Sequence, residues 1–336
     1  MIHTVELTTK SSDFNSFLKF KNDKSLGYGY KYPGIKKIEA KRIGTEPGEK
    51  QYLLKAEINL SRVTDPDNIL GIYKGQNAEQ TLDAINQSFE EMGLFPVWAW
   101  NLSEVHMAID IHTPYVKEYI QMLHHGKLKH DPQYQDGSLY IPYSPNGITV
   151  NFYDKEAQQR SKGVEAAERA RNKLRLEVQV KSKRLSTELK NASGRPTKDL
   201  VSLLLANDGE HLWDMMNNTI YKELVYIIGD TDHVTKEAAI RKIRQSKGKQ
   251  QRTLEQLADI VSRVNRKGNS ISSVQKSWCA ATKRTTKTFQ NRLDDLYRLN
   301  INPVCVPSDS SVTYLENLGQ LYLTELAKEY TAAMAA

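Results

Sequence analysis

The sequence of 336 residues predicts an α+β fold: an antiparallel sheet with helices packed on one face, followed by a mostly helical C-terminal half. Three observations predict it. Several short segments alternate apolar and polar residues, as strands with one buried face do. Segments with the 3.6-residue spacing of amphipathic helices fall between them, an order that suits helices covering one side of a sheet. From about Leu185 onward the strand signals fade and long helical patterns take over. A chain of this length suggests two units, here 1–190 and 191–336, with GRPT at 194–197 as the best local mark of a break.

In order along the chain, IHTVELT and KKIEAKRI are short strand candidates around a Gly/Tyr/Pro stretch, SLGYGYKYPG, that reads as loop. In QYLLKAEINLSRV, Leu54, Ala56, Ile58 and Leu60 share one face and leave Glu57 mid-strand on the other. After the turn-rich TDPDN, AEQTLDAINQSFEEMG has helical spacing and stops at a glycine. SEVHMAIDIHT alternates again, with His106, Ala108, Asp110 and His112 opposite the apolar residues. PYVKEYIQMLHHGK opens with proline and ends near glycine, as a helix does. ITVNFY and KLRLEVQVK are two further strands joined by a basic, helical-looking connector; they set Tyr153 and Glu177 on the polar side, which is expected to be wet. Beyond Leu185, TKDLVSLLLAN, GEHLWDMMNNTIYKELVYIIG, TKEAAIRKIRQS, RTLEQLADIVSRVNRKG, TKTFQNRLDDLYRLN and ENLGQLYLTELAKEYTAAM read as helices, with KGKQQR as a linker.

Composition narrows the function. A net charge of +7 makes a polyanion the default partner. With only Cys279 and Cys305, neither a disulfide framework nor a multi-cysteine zinc site is available. The N-terminus lacks signal-peptide features and no run approaches a membrane span, so a soluble, cytoplasmic protein with no membrane partner is expected.

Three alternating strands each carry a carboxylate at the middle of the polar face, Glu57, Asp110 and Glu177, and a fourth carries Tyr153 in the same way. Acids are poor strand residues, although the solvent face of an antiparallel sheet is polar anyway. The sharper reading is a metal site beside a tyrosine nucleophile. Carboxylates with one imidazole, from His112 or else His106, form an oxygen-rich site suited to Mg²⁺ or Mn²⁺, which would polarise a phosphodiester. Tyrosine attacks poorly at neutral pH unless cations lower its pKa, and Lys155 and Arg175 stand close in sequence to the tyrosine and to Glu177. A phosphotyrosine link would keep the bond energy for rejoining without ATP, in keeping with a sequence that has no phosphate-binding GxxxxGK[ST] loop.

KAEINLS with its following helix, VHMAIDIHT, ITVNFYDKEAQ and KLRLEVQVKSKRL, in that order, resemble the gene II/X replication initiators of filamentous phages and related plasmids. The resemblance covers roughly residues 50–190, with a fainter echo in LDDLYRLNINPVCVP. It implies a degenerate HUH or Rep-like nicking domain in the first unit and a rolling-circle initiator that nicks one DNA strand at an origin through a tyrosine. It also implies a divalent metal, a 3′-hydroxyl left for the polymerase, and rejoining of the displaced circle. The implied setting is the cytoplasm of a bacterial host, with host helicase, polymerase and single-strand-binding protein as partners. By resemblance Tyr153 is the nucleophile and Lys155 its accompanying lysine, while Asp110, Glu57 and Glu177 match strand acids of the family. The chain departs from the pattern in having Ala108 where an arginine commonly stands, and Gln158 where an acid often follows the tyrosine. Asp110-Ile111-His112 resembles a paired-histidine motif with aspartate in the first histidine's place.

Basic residues are unevenly spread. Between Arg241 and Arg292 there are 14 Lys and Arg against 2 acids, Glu255 and Asp259, a balance suited to phosphate contacts. In ATKRTTKTFQNRLDDLY a helix with Lys283, Arg284 and Lys287 at its start is a candidate for reading base edges. Arg160, Lys162, Arg169, Arg171 and Lys173 in the connector, with Arg175, are candidates for holding DNA beside Tyr153. The alternative from another class is a non-catalytic DNA-binding regulator of replication or transcription.

Overall fold

The alternating segments become strands because only an extended chain places every second side chain in the core. A computed structural model describes residues 2–12, 32–43, 51–64, 78–128, 133–135, 138–141, 147–160, 163–194, 198–205 and 210–335. Its elements begin with β1 (Ile2–Ser11), β2 (Ile35–Arg42), β3 (Tyr52–Asn59), the short helix α1 (Leu60–Thr64), α2 (Ala78–Glu91), β4 (Asn101–His112) and α3 (Val116–His124). There follow β5 (Gln133–Gln135), β6 (Ser138–Ile141), β7 (Ile148–Asp154), α4 (Lys155–Gln159), α5 (Val164–Arg169), β8 (Lys173–Lys181) and α6 (Ser182–Ser193). The helical half comprises α7 (Leu200–Leu205), α8 (Glu210–Ile228), β9 (His233–Val234), α9 (Lys236–Gln245), α10 (Gln251–Val264), α11 (Ile271–Thr282), α12 (Thr286–Arg298), β10 (Tyr314–Leu315) and α13 (Leu318–Ala335).

Among the described residues β1–β8 form one sheet in the order β2-β3-β1-β4-β8-β7-β6-β5. Every pairing in it is antiparallel. The fold is therefore α+β, as expected. Register aligns the apolar residues of neighbouring strands: Met107 pairs with Val178 and Val178 with Val150, while Ile109 pairs with Leu176 and Leu176 with Phe152. A one-residue slip would turn each of these out of the core. Leu82, Ile85 and Phe89 of α2, Tyr119 and Leu123 of α3, and Leu185 and Leu189 of α6 are buried in the same cluster as these strand residues. Full burial of each large aliphatic or aromatic side chain contributes about 1.5–3 kcal/mol.

Several elements escape the sequence patterns. The strands β5 and β6 are three and four residues long, too short to show alternation. Helix α6 follows β8 without a break, and Gly194 ends it with φ +72 and an N–H donated to Lys190 O at 2.8 Å. The expected boundary at 190 thus falls inside a helix. Helix α11, ISSVQKSWCAAT, lacks a dense apolar stripe; it is held by Ile271, Val274 and Trp278 and by a capping box at Ser270. Of KGKQQR, residues 247–250 lie between α9 and α10, while Gln251 and Arg252 already form the first turn of α10. Residues 25–31 of the Gly/Tyr/Pro stretch, 65–68 of the turn-rich segment and 195–197 of GRPT lie outside the described residues.

Candidate active site

The polar residues of β4, β8 and β7 fall in cross-strand rows. Asp110, Arg175 and Tyr153 make one row; Ala108, Glu177 and Asn151 the next; His106, Gln179 and Thr149 the third. Glu104 and Lys181 face each other beyond them and are joined by an ion pair of 3.2 Å.

The expectation of a wet face is not met: its central side chains are buried. Tyr153 is 6% exposed and Arg175 is fully buried. Opposite charges and hydrogen-bonding groups meet across neighbouring strands, and that pairing allows polar side chains to leave water. Arg175 donates from Nε to Asp110 Oδ1 at 2.6 Å and from Nη2 to Oδ2 at 2.8 Å. Burial alone would raise the Asp110 pKa, but the hydrogen bonds and charge of Arg175 hold it below the ordinary carboxylate value. Arg175, expected to touch DNA from a solvated position, is committed to this pair. Its Nη1 has no hydrogen-bond partner, nor do Asn151 Oδ1 and Thr149 Oγ1 on the same face.

Glu177 joins the rows. The Tyr153 hydroxyl donates to its Oε2 at 3.4 Å, Gln179 Nε2 donates to its Oε1 at 3.2 Å, and His106 Nδ1 lies 3.5 Å from Oε1. The other His106 nitrogen, Nε2, is 2.7 Å from Glu104 Oε1. Burial works against charge on both groups. The His106 contact outweighs it for Glu177, whose pKa is held down to about 2, and the two glutamates outweigh it for His106, whose pKa is raised. His3, at an irregularity in the pairing of β1 with β4, is half-buried among the charges of Glu177, Arg175, Lys36 and Lys155, and loss of solvent around it lowers its pKa to about 3.

Tyr153 has the opposite electrostatics from those expected. Burial first, then the Glu177 charge, raise its phenol pKa well above the ordinary value, and Arg175 only partly offsets them. Lys155 is buried, lies 5.9 Å from the Tyr153 ring centre, and donates to Gln158 Oε1 at 2.7 Å. Gln158, which stands where the sequence resemblance implies an acid, thus contacts the lysine. Asp154 begins α4 by accepting from Ala157 N at 3.1 Å, which fixes the chain just after the tyrosine.

The structure brings Asp110, Tyr153, Lys155 and Glu177 together and leaves Glu57 and His112 apart. Glu57 lies in the row of Glu6 and Glu104, two strands from β4 and six residues along it from Asp110. At about 3.3 Å per residue and 4.8 Å per strand, that is on the order of 20 Å. Glu57 is ion-paired with Lys36 at 3.1 Å. The His112 side chain is 53% exposed and its Nδ1 is 3.2 Å from Glu325 Oε2 of α13. Among the described residues no group of three His, Cys, Asp or Glu side chains is placed to hold a metal. The carboxylates nearest Tyr153 are instead occupied by Arg175 and His106, so these side chains as arranged do not fit a Mg²⁺ or Mn²⁺ site.

Sequence reading missed Glu104 and His3 and preferred His112 to His106. The signal for His106 was present, since it shares a face with Asp110, but choosing between the histidines needed the β4–β8 register. In the connector, Arg160 and Arg169 pair with Glu156 and Glu165, each at 3.0 Å, and Arg171 is exposed. Lys173 is half-buried and pairs across the strands with His112, while Lys162 lies outside the described residues. No family model, curated protein or solved structure matches the chain. Among the described residues no helix is long and apolar enough to cross a membrane.

Proposed function

We propose that the chain is a tyrosine transesterase of DNA, acting as a rolling-circle replication initiator that nicks and rejoins one strand at an origin. In this reading the antiparallel sheet is the degenerate HUH-like nicking core that the sequence resemblance implies. One observation carries the reading: the Tyr153 hydroxyl, bonded to Glu177, stands in a row with the buried Arg175, whose Nη1 lacks a partner. A buried cationic donor without a partner suits a phosphate oxygen, and Tyr153 is the nucleophilic side chain beside it.

The chemistry is a phosphodiester exchange. The Tyr153 oxygen bonds to phosphorus, the bond from phosphorus to the 3′-oxygen breaks, and that oxygen leaves as a 3′-hydroxyl after gaining a proton. The strand stays on the protein as a 5′-phosphotyrosine, and the reverse reaction rejoins it. With Glu177 acidic and the Tyr153 phenol pushed up, the proton does not leave before attack. It passes to Glu177 as the phosphorus bond forms, when the phenol oxygen becomes acidic. Arg175 Nη1 and Lys155 then face the charge growing on the phosphate oxygens.

The test is incubation of the full chain with labelled single-stranded DNA of randomised sequence, with Mg²⁺, with Mn²⁺ and with a chelator. The expected result is an adduct that survives denaturation and maps to Tyr153, absent from Tyr153→Phe. Glu177→Gln should slow it by about 10²- to 10⁴-fold. An adduct in Tyr153→Phe would place the nucleophile elsewhere. The burial of Tyr153 and the closed Asp110–Arg175 pair favour a second reading, a DNA-binding regulator that cuts nothing. Failure of the wild type to form an adduct with any sequence would select it.

A further inference from the structure

The most acid-free surface of the helical half lies on α11 and α12. From Ile271 to Asn291 there is no Asp or Glu, while Lys276, Lys283, Arg284 and Lys287 are present. All four cations are exposed, and among the described residues none is in an ion pair. The other end of α12 is the reverse: Asp295 is buried against Lys249 at 2.8 Å, Arg292 at 3.1 Å and Arg298 at 3.3 Å. Charge is therefore neutralised where α12 is anchored and left free where it begins.

The geometry around those free charges is that of two helices joined by a tight turn. Helix α11 ends at Thr282 and α12 starts at Thr286, leaving Lys283, Arg284 and Thr285 between them. Lys283 reverses the chain in the left-handed region at φ 53, Arg284 N donates to Cys279 O at 3.1 Å, and the Thr285 hydroxyl caps α12 by accepting from Thr288 N at 3.2 Å. Trp278 and Phe289, with ring centres 5.6 Å apart, join the two helices edge to face. Helix α10 packs on both, and its Gln256 accepts from Arg292 Nε at 2.8 Å. The unit rests on the end of α3 through Ile271 N to His125 O at 2.9 Å, with Phe289, Leu293 and Leu296 turned into the core. Thr286, Lys287 and Asn291 are left facing outward.

We infer that α11 and α12 form a helix-turn-helix that binds duplex DNA, with the first turns of α12 in the major groove. A helix of 13 residues is about 20 Å long and fits a groove about 12 Å wide. Lys287 and Asn291, one turn apart on the outward face, reach base edges, where lysine donates to guanine and asparagine pairs with adenine. Lys283 and Arg284 in the turn, with Lys276, hold the phosphates that set the register. Duplex RNA is a poor fit because its major groove is too deep and narrow for side chains to read. This site is separate from Tyr153 and goes beyond the nicking reaction, since it assigns a duplex sequence to be read by another part of the chain.

The experiment is selection by the full chain from a pool of randomised duplex DNA, followed by titration of the enriched duplex over a range of salt. The wild type should enrich one sequence motif. Lys287→Ala with Asn291→Ala should lose preference for it by about 10- to 100-fold while retaining binding to unrelated duplex. Lys283→Ala with Arg284→Ala should keep the motif, bind more weakly, and reduce the salt slope by about 2. All four positions are exposed, and circular dichroism checks that each variant keeps its helices. The inference is overturned if the wild type enriches no motif, if the Lys287 and Asn291 variant enriches the same one, or if duplex RNA competes equally. The readout is binding alone, so a retained motif without any DNA adduct would sink only the Tyr153 reading.

Discussion

Opposite charges brought out of water across β4 and β8 are costly to bury and costlier to separate. Asp110 accepts both hydrogen bonds of a bidentate Arg175 in a row that Tyr153 completes. Removing one partner leaves the other charged and buried, so Asp110→Ala should destabilise the protein by about 3–5 kcal/mol in urea unfolding. The double change Asp110→Leu with Arg175→Met should recover most of that loss, because well-packed apolar side chains replace such pairs at little cost. DNA adduct formation should stay absent from the double variant, separating the role of Arg175 toward phosphate from its role in the fold. Recovery of the adduct along with stability would make the pair purely structural.

Among the elements, the turn between α11 and α12 carries conformational strain that a substitution can release. Lys283 sits at φ 53, a region only glycine enters freely, so Lys283→Gly should stabilise the chain by up to about 1 kcal/mol. Thr285→Ala removes the cap of α12 and should cost about 1 kcal/mol, both effects being read from denaturant midpoints. At the other end of α12, burial would raise the Asp295 pKa, but Lys249, followed by Arg292, holds it below the ordinary value. A depressed carboxylate adds stability above its unfolded pKa of about 3.9 and loses it as pH falls through the lower folded value. Asp295→Asn should therefore cost about 2 kcal/mol at neutral pH, and the gap from wild type should close in acid below the unfolded pKa. These elements also mark what the sequence made legible. Strands with one apolar face, such as β4 and β8, and helices with a dense stripe, such as α10, can be read from spacing because burial imposes it. The short strands β5 and β6 and the sparse helices α6 and α11 take their order from neighbours and leave little periodic trace. The site was legible to the same extent: alternation places Glu177 and Tyr153 on one face, but only strand register pairs Asp110 with Arg175 and carries Glu57 away.

Over the whole molecule, the two halves suggested by the change of texture share one core. Buried residues of the sheet, such as Val105 and Leu176, belong to the same cluster as Leu224 of α8, Trp278 of α11 and Leu318 of α13. Helix α6 carries the chain across residue 190, and α13 returns to β4, where Glu325 meets His112. Tyr119 of α3 donates to Glu316 O at 2.8 Å, just before α13 begins. Melting the helical half would uncover the apolar residues it covers on the sheet side, so neither half is expected to unfold alone. Each half contains a buried tryptophan, Trp100 beside β4 and Trp278 in α11. Variants with Trp98 and Trp213 replaced by Phe, and with either Trp100 or Trp278 also replaced, leave one buried fluorophore as a reporter of each half. Their urea transitions should share one midpoint and slope after correction for the substitutions, and coincide with helix loss seen by circular dichroism. Two separated midpoints would show that the halves are independently stable and that their common core contributes little to cohesion.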